Sequence, residues 1–223
     1  FGHDRTGDSQ FLRGYGLDVT NLHTVTDSST DHGGTSSNDI DSTSNDDVRI
    51  SSTRVRDLLL AGDIHTANRL LGRDYAITGL IVRGDQIGRT IDFPTANVDL
   101  QRLKPALHGI FAVDVVSLDD NGDVIPDGLT TFATDSNTGV VGLRPHSLFG
   151  TANIGKRPSV DKGDDWRLEV HFPQLQADLY GLRVEVRFLH FLHGERRYDG
   201  LEALKNGINQ DVADLLEWRN HQI

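Results

Sequence analysis

Apolar and polar residues alternate along much of the chain from Tyr75 onward, and this period of two is typical of β-strands with one buried face. The alternation is clearest in residues 111–116, 166–172 and 183–188. Gly, Pro and Asp separate these segments, whereas residues 119–150 show no clear period and predict a long connection or flap. Several short strands joined by such turns predict a closed antiparallel sheet.

Helical patterns flank this region on both sides. Residues 53–61 and 63–71 predict two short helices, because Gly62 interrupts the period, Asp63 is a suitable N-cap and Gly72 ends the second helix. We interpret them as linker helices and predict a domain boundary near Gly72, which gives domains 1–72 and 73–223. Near the C-terminus, Asp199 and Glu202 resemble a capping box. The helix that follows has an apolar stripe that we expect to pack against the sheet: Leu201, Leu204, Ile208, Val212 and Leu215.

A loop with two glycines follows the first predicted strand and occupies residues 84–97. Gly84 and Gly88 can adopt positive φ, which lets backbone N–H groups converge on an anion such as a phosphate. Arg89 and Thr90 add a positive charge and a further hydrogen-bond donor. An ordinary hairpin turn is the alternative interpretation.

Pro94 stiffens the end of this loop and favours an extended backbone around it. Thr95 and Asn97 are two residues apart, so on an extended segment their side chains face the same way. Hydroxyl and carboxamide oxygens suit Mg²⁺, which takes few protein ligands in phosphoryl-transfer sites. The pattern predicts that Thr95 and Asn97 hold Mg²⁺, and the alternative is that both residues cap a turn.

Composition narrows the classes of protein that fit. The chain has 223 residues and a formal net charge of -11, which argues against a nucleic-acid-binding surface. It contains no Cys, so thiol catalysis and thiolate metal sites are excluded. The sequence has no apolar run of membrane-spanning length and no signal peptide, and a cytoplasmic protein without membrane contact is the expectation.

Five motifs in a fixed order resemble those of riboflavin kinases, in particular the kinase module of bacterial bifunctional riboflavin kinase/FAD synthetases. They are Gly88-Arg89 with FPTAN at 93–97, HGIFAV at 108–113, ANIGKRP at 152–158, LEVH at 168–171 and DLYG at 178–181. The resemblance extends from about Tyr75 to the C-terminus. It implies a mainly β fold, a six-stranded antiparallel Greek-key barrel followed by a C-terminal helix, in agreement with the period-two pattern.

The same resemblance implies a kinase that uses ATP and Mg²⁺ to convert riboflavin to FMN, with ADP as the second product. It makes Glu169 the general base for the terminal ribityl hydroxyl and places Asn153 and Arg157 near the substrate. The nucleotide-binding residues that it implies are Gly84, Gly88, Arg89, Thr90, Thr95 and Asn97. From the residues alone, a solvent-facing Glu169 paired with Arg167 or His171 is the simpler interpretation.

The chain departs from the family pattern on the flavin side. Ser159 stands where the family usually has Thr, and His193 and Arg197-Tyr198 stand where it shows Leu-Arg and Lys-Phe. His190 and His193 look like a metal pair, but on a strand a spacing of three puts them on opposite faces, which argues against a metal site there.

Residues 1–26 and 51–56 resemble the closing part of the adenylyltransferase module of the same bifunctional family, which predicts a partial α/β nucleotidyltransferase remnant. Residues 10–15 predict a short helix there, and residues 27–47 predict a mobile acidic loop. The family's His-x-Gly-His motif does not occur, so we expect no adenylyl transfer from this chain. Phe1 at the start and the absence of Met predict a fragment of a longer protein.

Two other classes of function fit the sequence. One is a non-catalytic flavin- or nucleotide-binding barrel, and the other is an interaction module that uses the acidic loop. The joint presence of Thr95, Asn97 and Glu169 favours the kinase, because a binding protein does not need this set.

Overall fold

The structure is a computed structural model that describes residues 8–20, 25, 49–84, 88, 91–101, 104–133, 141–157 and 165–222. The side chains of Arg157 and Asp165 lie outside the described part, as do Arg89, Thr90 and the predicted acidic loop. The chain divides into two compact units, Phe1–Ser51 and Ser52–Ile223.

In the first unit, α1 (Ser9–Gly14) lies where the sequence predicts a short helix. The Asp8 carboxylate caps it by accepting a hydrogen bond of 2.8 Å from the Phe11 N–H. Arg13 donates a hydrogen bond of 2.9 Å to the Val19 carbonyl oxygen. The interpretation of this unit as a nucleotidyltransferase remnant stays a prediction.

The second unit begins with the two predicted linker helices, α2 (Ser52–Ala61) and α3 (Ile64–Leu71). Asp63 caps α3 by accepting from the Thr66 N–H at 3.1 Å, and Gly72 ends the helix with φ of 67°. Both helices contribute to the main core of the barrel through Leu59, Ile64 and Ala67. The predicted domain boundary near Gly72 stays a prediction.

Six strands form a closed antiparallel barrel in the order β1-β2-β5-β4-β3-β6. They are β1 (Tyr75–Val82), β2 (Thr95–Val98), β3 (Gly109–Leu118), β4 (Leu148–Arg157), β5 (Asp165–His171) and β6 (Arg183–His193). The strands β3, β4 and β5 form a meander, β2 returns beside β5, and β6 closes the barrel between β3 and β1. This Greek-key arrangement confirms the predicted fold class.

The barrel interior is filled by the inward-facing residues that the period-two pattern predicts. Phe111 and Phe188 are fully buried and meet edge to face, with ring centroids 5.3 Å apart. On the strands that carry the candidate chemistry, the inward residues are Ala96 and Val98 of β2, Ala152 and Ile154 of β4, and Leu168 and Val170 of β5. The residues between them therefore face outward.

The long connection from β3 to β4 is anchored at both ends in its described part. It contains a short 3-10 helix, Thr130–Phe132, and places the fully buried Leu129 in the main core. The buried carboxylate of Asp114 accepts hydrogen bonds from the backbone N–H groups of Leu143 and Arg144, at 3.1 and 2.8 Å. Burial raises the pKa of Asp114 above its ordinary value, although these hydrogen bonds oppose the shift.

The C-terminal helix α4 (Leu201–Asn220) packs on the outer surface of the barrel. Its N-cap is Gly200, with φ of 94° and no side-chain cap, so the predicted capping box at Asp199 is wrong. The reason is that the helix starts one residue later than predicted, so Gly200, with its positive φ, and not Asp199, occupies the N-cap position. Leu215 is fully buried against Ala112 and Phe149 in a second, smaller core. Within the described residues, no helix is both long and apolar enough to cross a membrane.

Candidate active site

A cavity of about 290 Å³ lies between the outer surface of the barrel and α4. Its floor is polar and comes from three strands: Thr95, Asn97, Thr151, Asn153, Glu169 and His171. Its apolar walls come from the turn before β2, from β3 and from α4: Ile91, Phe93, Ile110, Leu204 and Ile208. The cavity is therefore suited to a ligand with one apolar and one polar part.

The strand register arranges the polar floor in two rows. Asn97 of β2 is the partner of Glu169 on β5, which is in turn the partner of Asn153 on β4. Thr95, His171 and Thr151 form the second row in the same way. Directly opposite residues on neighbouring strands have Cβ atoms about 4.5–5.5 Å apart. Glu169 thus lies between two carboxamides in a cavity, which differs from the predicted alternative of an open strand surface.

Thr95 and Asn97 share one face of β2 and line the same cavity, in agreement with the predicted extended segment. Their oxygens are neutral, hard donors, which suits a Mg²⁺ ion whose charge is balanced mainly by phosphates. Among the described residues, no group of three or more His, Asp or Glu side chains could hold a metal ion by itself.

His171, which the sequence suggested only as an alternative partner of a solvent-facing Glu169, is buried and fixes the segment that leads into β2. Its Nδ1 atom lies 3.0 Å from the Pro94 carbonyl oxygen, and because a carbonyl only accepts, Nδ1 carries the proton. The Phe93 ring contacts the imidazole edge to face, with centroids 5.3 Å apart. Burial lowers the pKa of His171 below its ordinary value, and the hydrogen bond to Pro94 opposes this only in part. The ring is therefore neutral around pH 7 and holds Pro94 in place beside Thr95.

The helix α4 supplies the opposite side of the cavity. Leu204, Ile208 and Asp211 follow at intervals of four and three, so they lie on one face of the helix. The predicted packing stripe is thus divided, because Leu204 and Ile208 line the cavity, Leu215 packs in the small core and Leu201 is 58% exposed.

The prediction that His190 and His193 point to opposite faces is wrong. Two register shifts between β3 and β6 add a residue to β6 at Leu189 and at Leu192. One of these extra residues, Leu192, lies between the two histidines, so their side chains point to the same face, as those of residues two apart do on a regular strand. Both rings contact α4. They have separate partners there: His190 stacks on Trp218 at 5.2 Å, whereas His193 lies 2.7 Å from Asp211.

The glycines of the loop do not use the backbone freedom that the sequence suggested, and their part in phosphate binding stays a prediction. Neither Gly84 nor Gly88 adopts positive φ. A Cβ atom at Gly84 would instead overlap the side-chain amide of Asn97, and one at Gly88 would overlap the Phe93 carbonyl oxygen. The Gly88 carbonyl accepts hydrogen bonds from the Ile91 and Phe93 N–H groups, at 3.2 and 2.8 Å. The glycines therefore permit close approach of the turn to β2.

The segment after β6 adds polar groups to the cavity, and of these only Tyr198 stands at a position that the family pattern assigns to the flavin side. Glu195, Arg196 and Tyr198 line the cavity. Two glycines make room for them, since a Cβ at Gly155 would overlap the Glu195 carboxylate and one at Gly207 would overlap the Tyr198 ring. Asn153 lines the cavity as well, while Arg157 ends β4 and its side chain lies outside the described part.

A second, more open cavity of about 650 Å³ lies beside Pro94 and is bordered by Arg83, Asp92 and Tyr180. The Arg83 guanidinium lies over the Tyr180 ring, 5.4 Å from its centroid. Pro94 borders this cavity, and Thr95 and Asn97 line the first one. The start of β2 is thus shared between two adjacent spaces.

The fold and the site define a barrel protein with a two-sided ligand cavity and a carboxylate flanked by carboxamides on its floor. A family model for riboflavin kinase (flavokinase) matches residues 71–219. The chain therefore belongs to the riboflavin kinase family, which confirms the resemblance of the five motifs.

Curated proteins with similar sequences have a longer chain. The bifunctional riboflavin kinase/FMN adenylyltransferase of Pseudomonas fluorescens is 37% identical over 213 residues, which covers 96% of this chain and 56% of that protein. The protein of the same name from Escherichia coli strain K12 is 36% identical over 222 residues, covering 98% and 57%. The chain thus spans a little over half the length of these relatives.

A similar solved structure is described as a macrolide-efflux protein from Streptococcus pneumoniae. It has a TM-score of 0.59 and 27% sequence identity, and the match covers 76% of this chain and 47% of that one. The two proteins share a fold over that part, and the description as an efflux protein applies to the streptococcal protein alone.

Proposed function

We propose that this chain transfers the γ-phosphoryl group of ATP to riboflavin, giving FMN and ADP, with Mg²⁺ as the divalent ion. Family membership supports the class of reaction. The observation that carries the assignment to this site is the row in which Glu169 lies between Asn97 and Asn153 on the floor of the cavity.

Riboflavin combines a flat, largely apolar ring system with a polar ribityl chain, and the cavity has the same division. In the proposed complex, the ring system contacts Leu204 and Ile208 of α4. The ribityl chain then extends along the polar floor towards Asn153 and Glu169. Arg157 stays a proposed substrate contact through the family motif alone.

Glu169 is the proposed general base. Its carboxylate accepts the proton of the terminal ribityl hydroxyl as that oxygen forms a bond to the γ-phosphorus. The bond between the γ-phosphorus and the β–γ bridging oxygen breaks, and ADP leaves with the electron pair. The protein contributes mainly by positioning the reactants and stabilising the charge that develops.

Thr95 and Asn97 are the proposed Mg²⁺ ligands, through the hydroxyl and the carboxamide oxygen. When it is bound, Mg²⁺ neutralises charge on the β- and γ-phosphates. The loop with Gly84, Gly88, Arg89 and Thr90 is the proposed phosphate-binding segment. The open cavity beside Arg83 and Tyr180 supports this proposal, because it adjoins the start of β2 and offers room for the rest of the nucleotide.

The test is to incubate the chain with riboflavin, ATP and Mg²⁺ and to separate riboflavin, FMN and FAD by chromatography. We expect FMN, no FAD, and a complete loss of FMN when EDTA replaces Mg²⁺. Riboflavin that is bound but not converted would refute the kinase and favour a non-catalytic flavin-binding barrel.

A further inference from the structure

His193 is held between two oxygen atoms at the end of β6. Its Nε2 atom lies 2.7 Å from Oδ1 of Asp211, and its Nδ1 atom lies 2.7 Å from the carbonyl oxygen of Gly194. The side chains of His193 and Asp211 are each only 11% exposed. Both belong to the cavity lining, but neither has a role in the proposed phosphoryl transfer.

The number of protons on the ring decides whether both contacts are hydrogen bonds. A carbonyl oxygen and an ionised carboxylate can only accept. Both ring nitrogens therefore donate only when the imidazole carries two protons. A neutral ring has one N–H, so one of the two contacts then sets a nitrogen lone pair against an oxygen lone pair. Histidine exchanges this second proton between about pH 5 and 8 in proteins generally.

The contact with Asp211 also positions the α4 wall. Asp211 lies three residues after Ile208 and seven after Leu204, on the same helix face, so its contact with His193 ties the face that carries Leu204 and Ile208 to the end of β6. The exposed pair between Lys205 and Asp92, with Nζ and Oδ2 3.7 Å apart, contributes little to this anchoring.

Other charged and titratable groups face the same space. Besides Asp211 from α4, they are Glu169 and His171 from β5 and Glu195, Arg196 and Tyr198 from the segment after β6. The neighbouring residue on β3 is Ile110, which does not titrate. Because several groups change charge with pH, the contribution of His193 has to be isolated by substitution at His193 itself.

We propose that the contact between His193 and Asp211 is a positioning element that fixes the α4 wall of the cavity and makes riboflavin binding pH-dependent. This inference rests on the proposed function, since it assigns that wall to the flavin ring system. Riboflavin binds more tightly when His193 is protonated, and the effect falls on binding more than on the phosphoryl transfer at Glu169.

The test measures the Kd for riboflavin by quenching of flavin fluorescence at pH 6 and pH 8, together with kcat and KM for FMN formation. For the wild type, we expect Kd and KM to rise roughly 5-fold from pH 6 to pH 8, the difference between a charged and a neutral hydrogen bond. His193→Arg keeps a permanent cation, so its Kd should change less than about twofold. Asp211→Asn removes the carboxylate, so its Kd for riboflavin should be higher than that of the wild type and the same at both pH values.

His190→Gln is the matched control, because His190 also contacts α4 but stacks on Trp218 outside the cavity. It should keep the wild-type pH profile, and circular dichroism checks the fold of each variant. A wild-type Kd that is equal at both pH values would overturn the inference, and so would His193→Arg or Asp211→Asn with the wild-type profile. Bound riboflavin without FMN refutes the kinase alone, whereas no riboflavin binding at either pH refutes both.

Discussion

Gly84 gives the sharpest way to test whether Asn97 acts in the reaction. A Cβ atom built at Gly84 lies 2.5 Å from Nδ2 of Asn97 and closer still to the other two atoms of the carboxamide. The overlap is with the end of a flexible side chain, and the φ of Gly84 is not in the left-handed region. Gly84→Ala should therefore displace the Asn97 amide while the backbone stays in place.

The magnitude follows from the size of that displacement. Ordinary contacts between non-bonded heavy atoms begin at about 3.5 Å, so the amide has to move by about 1 Å. A misplacement of this size in a reacting geometry costs about 10²-fold in rate, which corresponds to about 2.7 kcal/mol of transition-state stabilisation. Stability should change by no more than about 1 kcal/mol, as for other Gly→Ala changes at compatible φ.

The assay follows the rate of FMN formation across a range of Mg²⁺ concentrations for the wild type, Gly84→Ala, Asn97→Ala and the double variant. We expect Gly84→Ala to need more Mg²⁺ and the double variant to be no slower than Asn97→Ala, because both changes act on one group. Gly14→Ala is the control, since a Cβ there meets nothing within 4 Å. Wild-type turnover in Gly84→Ala, or additive losses in the double variant, would show that the Asn97 amide has no part in the reaction.

Three further outcomes follow from the structure. Glu169→Gln should lower turnover by roughly 10²–10⁴-fold with near-normal nucleotide binding, because it removes the proton acceptor and keeps the shape; normal turnover in this variant would contradict the role. His171→Gln should reduce the loss of stability at acid pH. Burial lowers the pKa of His171 in the folded chain, so below about pH 6.5 the unfolded chain binds more protons and the free energy of unfolding falls. Urea unfolding at pH 7.5 and pH 5 tests this, and an equal change in the free energy of unfolding for the wild type and the variant would contradict it. Burial also lowers the pKa of His190, so the variant should keep part of the pH dependence. Leu215→Ala opens a cavity in the small core under α4 and should cost about 2–5 kcal/mol in urea unfolding. Leu201→Ala, at a position 58% exposed, is its control, and equal stability of the two variants would argue against the α4 packing.

The barrel is predictable from the sequence because buried and more exposed residues alternate along strands such as β1 and β6. Leu168 and Val170 on β5 must enter the core, so Glu169 between them has to point outward. The linker helices are predictable for a similar local reason, since Asp63 and Gly72 mark the start and end of α3. In both cases, nearest neighbours in the chain contain the required information.

The arrangement of the site is less accessible to sequence reasoning, because it depends on contacts between distant segments. That Glu169 lies between Asn97 and Asn153 is a matter of strand register, which the alternation alone does not determine. The extra residue at Leu192 turns His193 towards α4, and no local pattern marks that bulge. Gly84 stands in a turn-like sequence. The reason for a glycine there is that the Asn97 side chain, thirteen residues away, packs where a Cβ atom would be.

In the proposed complex, riboflavin binds between α4 and the polar floor with its terminal hydroxyl at Glu169. The most direct measurement is a crystal structure of the chain with riboflavin, Mg²⁺ and a non-hydrolysable ATP analogue. We expect the ring system against Leu204 and Ile208, the terminal ribityl oxygen within about 3.2 Å of a Glu169 oxygen, and the metal at Thr95 and Asn97. Flavin bound elsewhere, or a ribityl hydroxyl out of reach of Glu169, would contradict it.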